Sequence, residues 1–194
     1  MTHHVSSARV PNNVPVTREA IIPGPIRDVF DFVAAEDVLP KVLTGYGLVP
    51  GVGHTSDITG PWSEPGSRRI VHLLDGSTVH EGLTRYDRPR YFAYCVSDPS
   101  FALRHLMIDA KGEWWFTETD EGSRALWTYT FRAKNRLAKL PLGLFVGTQW
   151  KGYMDVCIAN IIAHFTSLEP GPDRRLSLAP TLLHEALLGF TLRV

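Results

Sequence analysis

The sequence predicts an α+β fold with a curved antiparallel sheet of about seven strands and one long C-terminal helix. Three observations predict it. Alternating apolar residues mark several strands, turns containing glycine join them into hairpins, and an apolar stripe with helical spacing runs from Pro141 to about Ser167. A chain of 194 residues that is 44% hydrophobic is typical of a single soluble domain with a sizeable core.

The N-terminal part of the chain predicts one strand followed by two short helices. Apolar residues alternate from Val14 to Ile22, and the strand is expected to end at Pro23-Gly24-Pro25. Helical spacing then follows from Ile26 to Ala34, and a second short helix is expected over Glu36 to Leu43. Glycines and prolines in the next segment predict loops around one short strand near His54 to Thr59.

The dipeptide Asp75-Gly76 predicts a hairpin with a two-residue turn. In that register Ile70 lies opposite Glu81, and directly opposed residues share one face of a sheet. A second turn at Asp87 to Arg90 adds a third strand. The face predicted to point inward contains Ile70, His72, Leu74, Val79, Glu81, Leu83, Phe92, Tyr94 and Val96.

A further hairpin is predicted at Glu121-Gly122, with Phe116 opposite Trp127 and Trp114 opposite Tyr129. One face then contains Trp114, Phe116, Trp127, Tyr129 and Phe131. The other face is more polar and is expected to meet solvent, although it includes Trp115 and Leu126. The apolar stripe of the long helix contains Val146, Trp150, Tyr153, Met154, Cys157, Ile161 and Phe165.

Composition argues against several classes of function. Twenty basic residues balance twenty acidic ones, so nucleic acid is not an expected partner. No apolar run approaches the roughly 18 residues of a membrane helix, so integral membrane association is not expected either. Cys95 and Cys157 form no CxxC pair, which fits a reducing, cytoplasmic setting.

Neither a metal nor a cofactor is expected. The histidines show no HxH or HExxH spacing, and the predicted hairpin places His72 and His80 on opposite faces. No GxSxG elbow and no glycine loop for a phosphate is present. Cys157 lies on an apolar helical stripe, where a thiol is usually inert.

Three segments are predicted along the chain. Residues 1–13 form a flexible N-terminus, residues 14–168 form the folded domain, and residues 169–194 form a linker and an amphipathic helix. Such a short helix is marginal alone, so its apolar stripe is expected to pack on the domain, close the mouth of a cavity or contact another subunit. A homodimer through this tail or through the outer sheet face is therefore possible.

The order of strand, two short helices, antiparallel strands and long helix resembles the helix-grip fold of the START-like (SRPBCC) superfamily, in its polyketide cyclase/dehydrase and lipid-transport branch. The likeness spans roughly residues 14 to 168. It is also found locally in Pro65-Gly66-Ser67-Arg68-Arg69, Asp75-Gly76-Ser77, Glu81, Asp87, Pro89, Tyr94 and Gly122 to Phe131. The resemblance implies a cavity between sheet and helix for a hydrophobic small molecule, either a lipid or a polyketide-like metabolite.

The residues expected to bind the ligand are Ile70, His72, Glu81, Leu83, Tyr94, Trp114, Phe116, Trp127, Tyr129, Trp150 and Tyr153. The alternative is a cyclase, aromatase or dehydratase that uses Glu81, His72 and Tyr94 as acid and base groups. Glu81 decides between the two, because pairing with Arg68 or Arg85 would make it a poor general acid. A third reading is a protein-binding module that uses Trp115 and Leu126 on the outer face.

Overall fold

The computed structural model describes residues 12–168 and confirms the α+β helix-grip fold. Seven antiparallel strands form one sheet in the order β1-β9-β8-β7-β6-β5-β4, and β2 and β3 form a separate two-stranded ladder. The strands are β1 Asn13–Ile22, β2 Gly45–Tyr46, β3 Val49–Pro50, β4 Val52–Ser56, β5 Arg68–Leu73, β6 Thr78–Asp87, β7 Tyr91–Ser97, β8 Met107–Thr119 and β9 Gly122–Ala133.

Two short helices follow the first strand, as the sequence predicts. They are α1 Ile26–Val33 and α2 Leu39–Val42, the second shorter than the expected segment from Glu36 to Leu43. The strand expected near His54 to Thr59 is β4, which begins two residues earlier. The β2–β3 ladder was not predicted, because strands of two residues have no detectable alternation.

One continuous helical run forms the C-terminal part of the described chain. It consists of α3 Arg136–Phe145, a π-helical turn Val146–Trp150 and α4 Lys151–Leu168. The expected start at Pro141 is wrong by five residues, because Asn135 caps the helix by accepting a hydrogen bond from the Ala138 amide at 2.8 Å. Pro141 therefore lies inside α3.

The predicted register of the β5–β6 hairpin is wrong by one residue. Arg69 lies opposite Glu81 and Val71 opposite Val79, because the loop contains three residues, Leu74 to Gly76. Gly76 has φ +84°, which is typical of the final loop residue in a three-residue hairpin connection. Since side chains alternate along a strand, the slip sends Ile70, His72 and Leu74 away from the inner face.

In the other two predicted strand pairings, the side chains lie on the faces of the sheet that the sequence predicts. Leu83 lies opposite Tyr94 as expected, although the turn is shorter and a bulge separates Leu83 from Arg85. In the β8–β9 hairpin the expected pairing is wrong by two residues, since Trp114 lies opposite Trp127. An even shift leaves every side chain on its face, so the five aromatic residues still point inward.

The core fills one end of the space between the sheet and the helices. Phe30 of α1 is fully buried and packs edge-on against Tyr86, Phe92 and Phe116. The helical run lies over the same face of the sheet with Met154, Cys157, Ile161 and Phe165 buried. The remaining space is at the opposite end of the sheet, where β5 and β7 end and β6 and β8 begin.

Several sequence predictions fall outside the described residues. Residues 1–11 and 169–194 lie there, and with them most of the predicted N-terminal segment and all of the linker and tail helix. Asn13, assigned to the flexible segment, begins β1. No helix between residues 12 and 168 is long and apolar enough to cross a membrane.

Candidate ligand-binding cavity

A cavity lies between the inner face of the sheet and the long helical run. Its volume is about 80 Å³, several times the roughly 10–15 Å³ that one water molecule needs. Strands β3 to β9, helix α2, the loop before β8 and the helical run all contribute to its wall. The lining residues are Leu39, Leu43, Val49, Val52, Val71, Leu73, Val79, Glu81, Tyr94, Val96, Pro99, Phe101, Leu103, Met107, Ala110, Trp127, Tyr129, Phe131, Trp150 and Tyr153.

The cavity has a closed end and a more open end. Trp127 and Tyr94 at the closed end are buried, and beyond them Trp114 and Phe92 continue into the packed core. At the other end the lining residues Leu39, Leu43, Leu73, Val79, Phe101 and Trp150 are only half-buried. This end is therefore where a molecule from solvent would enter.

Glu81 is the one side chain of the lining that carries a charge, and it is 5% exposed. Arg69 Nε donates a hydrogen bond to Glu81 Oε2 at 2.7 Å, and Arg69 Nη1 donates to the Glu36 carbonyl at 2.7 Å. The guanidinium carbon lies 3.7 Å from the ring centre of Trp62. Arg69 is thus engaged on three sides, and Glu81 borders the cavity beside it.

The expected partners of Glu81 were Arg68 and Arg85, and both expectations are wrong. Arg68 and Arg85 are exposed, whereas Arg69 is buried beside Glu81 on the inner face. The error follows from the hairpin register, because moving one residue exchanges the neighbours that share a face.

Three tyrosines place hydroxyl groups in the lining. Burial, and then the negative charge of Glu81, raises the pKa of Tyr94 well above its usual value. Burial raises the pKa of Tyr129 and of Tyr153 for the same reason. The three phenols therefore stay protonated at neutral pH and offer neutral hydrogen-bonding groups. Burial also raises the pKa of the Cys157 thiol, which keeps it unreactive.

Two indole groups of the wall have an unused donor. Nε1 of Trp127 and Nε1 of Trp150 are buried and have no hydrogen-bond partner of normal geometry among the described residues, although Trp127 lies close enough to Tyr94 to oppose the rise in the pKa of that tyrosine. A buried donor without a partner is costly, by about 1–3 kcal/mol, and in native proteins it usually indicates a bound water or ligand. The cavity wall thus combines a large apolar surface with a few polar groups that remain to be satisfied.

The structure brings together six of the eleven sequence-predicted binding residues in the lining. These are Glu81, Tyr94, Trp127, Tyr129, Trp150 and Tyr153. Trp114 borders a smaller adjoining void of about 30 Å³, while Leu83 and Phe116 are buried in the packed core. The prediction that Ile70 and His72 point into the cavity is wrong, since both lie on the outer face of the sheet.

His72 is therefore separated from the other two candidate catalytic residues. Its Nε2 lies 2.8 Å from Ser56 Oγ, and its ring stacks on His54 with the ring centres 4.3 Å apart. Glu81 and Tyr94 share the cavity without it. The described residues contain no cluster of three His, Cys, Asp or Glu side chains that could hold a metal ion.

Sequence reasoning missed several residues of the wall. Arg69, Val71 and Leu73 reach the inner face because the loop at Leu74 to Gly76 contains three residues, whereas the sequence predicts a two-residue turn. Leu39, Leu43 and Phe101 lie on elements that only tertiary packing brings over the sheet. No local pattern in the sequence identifies that second group.

A family model described as "Polyketide cyclase / dehydrase and lipid transport" matches residues 13–166. The chain belongs to this family. The matched segment contains every residue of the cavity lining, from Leu39 to Tyr153. The polyketide cyclase/dehydrase and lipid-transport family includes binding proteins as well as enzymes in its description, so membership supports a hydrophobic ligand without choosing a reaction. No curated protein matches the chain significantly.

Solved structures show the same fold at low sequence identity. Ms6760 from Mycobacterium smegmatis is 19% identical with a TM-score of 0.55, over 81% of this chain and 93% of that one. Major latex-like protein 151 from Panax ginseng is 13% identical with a TM-score of 0.60, over 79% and 98%. MLL2253 from Mesorhizobium loti is 9% identical with a TM-score of 0.62, over 80% and 99%. At these identities the likeness concerns the fold alone.

Proposed function

We propose that the protein binds an uncharged hydrophobic small molecule in the cavity between its sheet and its long helix. The wall of this cavity carries the proposal. Aliphatic and aromatic side chains form nearly all of it, and the single charged group, Glu81, is already paired with Arg69. Apolar walls with a few well-placed polar groups are typical of small-molecule sites.

The unused polar groups suggest the chemistry of the ligand. The Glu81 carboxylate borders the cavity and can accept a hydrogen bond from a hydroxyl group, and the indole N–H groups of Trp127 and Trp150 can donate to a carbonyl or ether oxygen. A ring compound that carries hydroxyl and carbonyl oxygens, as polyketides do, supplies both. A free fatty acid fits less well, because the described lining contains no cation and the neighbouring Arg69 is already engaged.

Ligand binding must widen the cavity. Its volume of about 80 Å³ is smaller than the ~150 Å³ of an engineered cavity that admits benzene. The aromatic residues Trp150 and Phe101 lie at the open end and are only half-buried. We therefore expect ligands to enter there and to displace these two rings.

The enzyme alternative has less support from the arrangement of its residues. A cyclase or dehydratase would need Glu81, His72 and Tyr94 around one substrate, and His72 lies on the opposite face of the sheet. A carboxylate held by a guanidinium is a weak general acid, and a phenol with a raised pKa stays protonated at neutral pH and so has no phenolate to act as a general base. We therefore propose a carrier or binding protein.

Native mass spectrometry of the purified protein tests the proposal directly, since a bound molecule adds its own mass. A matched pair of probes then tests the chemistry. We expect 2-naphthol to quench tryptophan fluorescence at a concentration about tenfold lower than 2-naphthoate, because only the hydroxyl can donate to Glu81. Glu81→Gln should reduce this preference, and Glu113→Gln on the outer face should not. Tighter binding of 2-naphthoate would overturn the proposal.

A further inference from the structure

We infer that the outer face of helix α3 is a docking surface for an anionic lipid bilayer. Three leucines of this helix point into solvent and are among the most exposed large apolar residues of the described chain. Leu137 is 87% exposed, Leu140 is 82% exposed and Leu144 is 69% exposed. Single exposed leucines are ordinary on a protein surface, but three on one short helix are not.

The three leucines form one stripe. They are spaced by three and four residues, which places them on the same side of a helix. Ala138 and Leu142 are buried on the opposite side of α3, where the helix packs against the domain. The stripe therefore points away from the core, and no contact within residues 12–168 explains its composition.

Basic residues surround the stripe. No Asp or Glu occurs between Glu121 and Asp155, whereas this segment contains six Lys and Arg residues. Two of them are paired on the outer sheet face, Arg124 with Glu19 and Arg132 with Asp109. Three others, Lys134, Arg136 and Lys151, have no ion-pair partner within residues 12–168 and remain exposed.

A fourth leucine extends the apolar surface along the helix. Leu48 lies at the tip of the turn between β2 and β3 and is 84% exposed. Its backbone N–H donates to Gln149 Oε1 at 3.0 Å, which attaches this tip to the helical turn that follows Leu144. Trp150, the next residue, lines the open end of the cavity. The docking surface is thus continuous with the entrance to the cavity.

An anionic bilayer fits this surface better than the other possible occupants. Apolar side chains can enter the acyl region while the flanking cations meet lipid phosphates. A symmetric dimer through α3 would place two basic surfaces against each other, with no acidic residue between Glu121 and Asp155 of either copy to neutralise them. The chain's own tail has no net charge, and its predicted helix could reach α3 only with a nearly extended linker, since Leu140 and Leu168 are about 42 Å apart along the helix.

Vesicle flotation with the full-length protein tests the inference. Vesicles of phosphatidylcholine alone and with phosphatidylserine are compared, each at low and high salt. We expect binding to the anionic vesicles only, weakened by salt. The triple variant Leu137→Gln, Leu140→Gln, Leu144→Gln should lose at least tenfold in partitioning, whereas Leu74→Gln, an equally exposed leucine at the β5–β6 turn, should not.

Charge variants provide a second, independent measurement. Lys134→Glu with Arg136→Glu should weaken binding more than tenfold at low salt, and the matched pair Arg27→Glu with Arg90→Glu should have little effect. Circular dichroism confirms that each variant is folded. Absence of binding to anionic vesicles overturns the inference, as does equal binding by the leucine variants. If the triple glutamine variant has a lower mass than the unmodified protein in light scattering, and the unmodified protein does not bind vesicles, the outer face of α3 contacts a second copy of the chain instead.

Discussion

Arg69 and Glu81 form an ion pair inside the cavity wall, with Nε and Oε2 2.7 Å apart and both side chains at most 5% exposed. The pair lies between the main cavity and the smaller void beside it, since Glu81 borders both. A buried pair of this kind is demanding, because each charge has lost its water and depends on the other.

Removing only Arg69 should therefore destabilise the protein strongly. We expect Arg69→Met to reduce the free energy of unfolding by about 3–5 kcal/mol, and Arg69→Met with Glu81→Leu to recover most of the loss. Arg124→Met is the control, because Arg124 pairs with Glu19 on the surface and its loss should change stability little. Urea unfolding measures all three. Equal losses for Arg69→Met and Arg124→Met would contradict this account.

The observed β5–β6 register makes opposite predictions for two adjacent residues. Val71 is 4% exposed on the inner face, so Val71→Asp buries an unpaired charge and should cost more than about 4 kcal/mol. Ile70 points outward, so Ile70→Asp should cost about 1 kcal/mol or less. Thermal unfolding separates the two. The register expected from a two-residue turn predicts the reverse order.

The unused indole N–H of Trp127 should matter for ligand affinity. Trp127→Phe keeps an aromatic ring in the wall but removes the donor, so binding of an oxygen-bearing ring compound such as 2-naphthol should weaken about tenfold. Trp115→Phe on the outer face is the matched control and should leave affinity unchanged. Fluorescence titration gives both values, and the melting temperature shows whether either variant has lost its core packing.

The absence of a side chain at Gly112 allows Tyr94 to lie where it does. The two residues are paired across β7 and β8, and a Cβ atom at position 112 would come within 2.3 Å of Tyr94 Cζ. Gly112→Ala should move the ring and cost about 1–3 kcal/mol, with weaker ligand binding. Gly82→Ala is the control, because its nearest neighbour would be 3.7 Å away. Urea unfolding and the same titration test both changes.

Alkaline pH should unfold the protein through its tyrosines. Burial first, and then the hydrogen bond to Glu113, raises the pKa of Tyr91 to about 12, and burial also raises that of Tyr86, Tyr94, Tyr129 and Tyr153. A raised pKa stabilises the folded state below the ordinary value of about 10, and this contribution is lost as the pH rises toward the folded value. Stability should therefore fall above about pH 10.

Phenolate absorbance and circular dichroism, followed together against pH, measure that effect. Most tyrosine ionisation should coincide with loss of structure, and Tyr91→Phe should make the loss of stability between about pH 10 and 12 less steep. Ionisation of all six tyrosines while the protein remains folded would contradict the prediction.

The sequence by itself determined the order of elements, the fold class and the inward faces of β7, β8, β9 and the helical run. These features depend on local patterns with a period of 2 or about 3.6 residues, which a chain carries without reference to its neighbours. The aromatic residues Trp127 and Tyr129 could be placed on the inner face for this reason, even though their pairing was displaced by two positions.

Only the tertiary structure decided the inner face of β5, the partner of Glu81 and the shape of the cavity. If the loop between Leu73 and Ser77 is one residue longer than a two-residue turn, Arg69 and Val71 lie on the inner face in place of Ile70 and His72. The dipeptide Asp75-Gly76 is compatible with either loop length. The closing of Leu39, Leu43 and Phe101 over the sheet depends on contacts between distant segments. Such contacts have no local signature, because burial of apolar area is not directional and many partners would satisfy it equally.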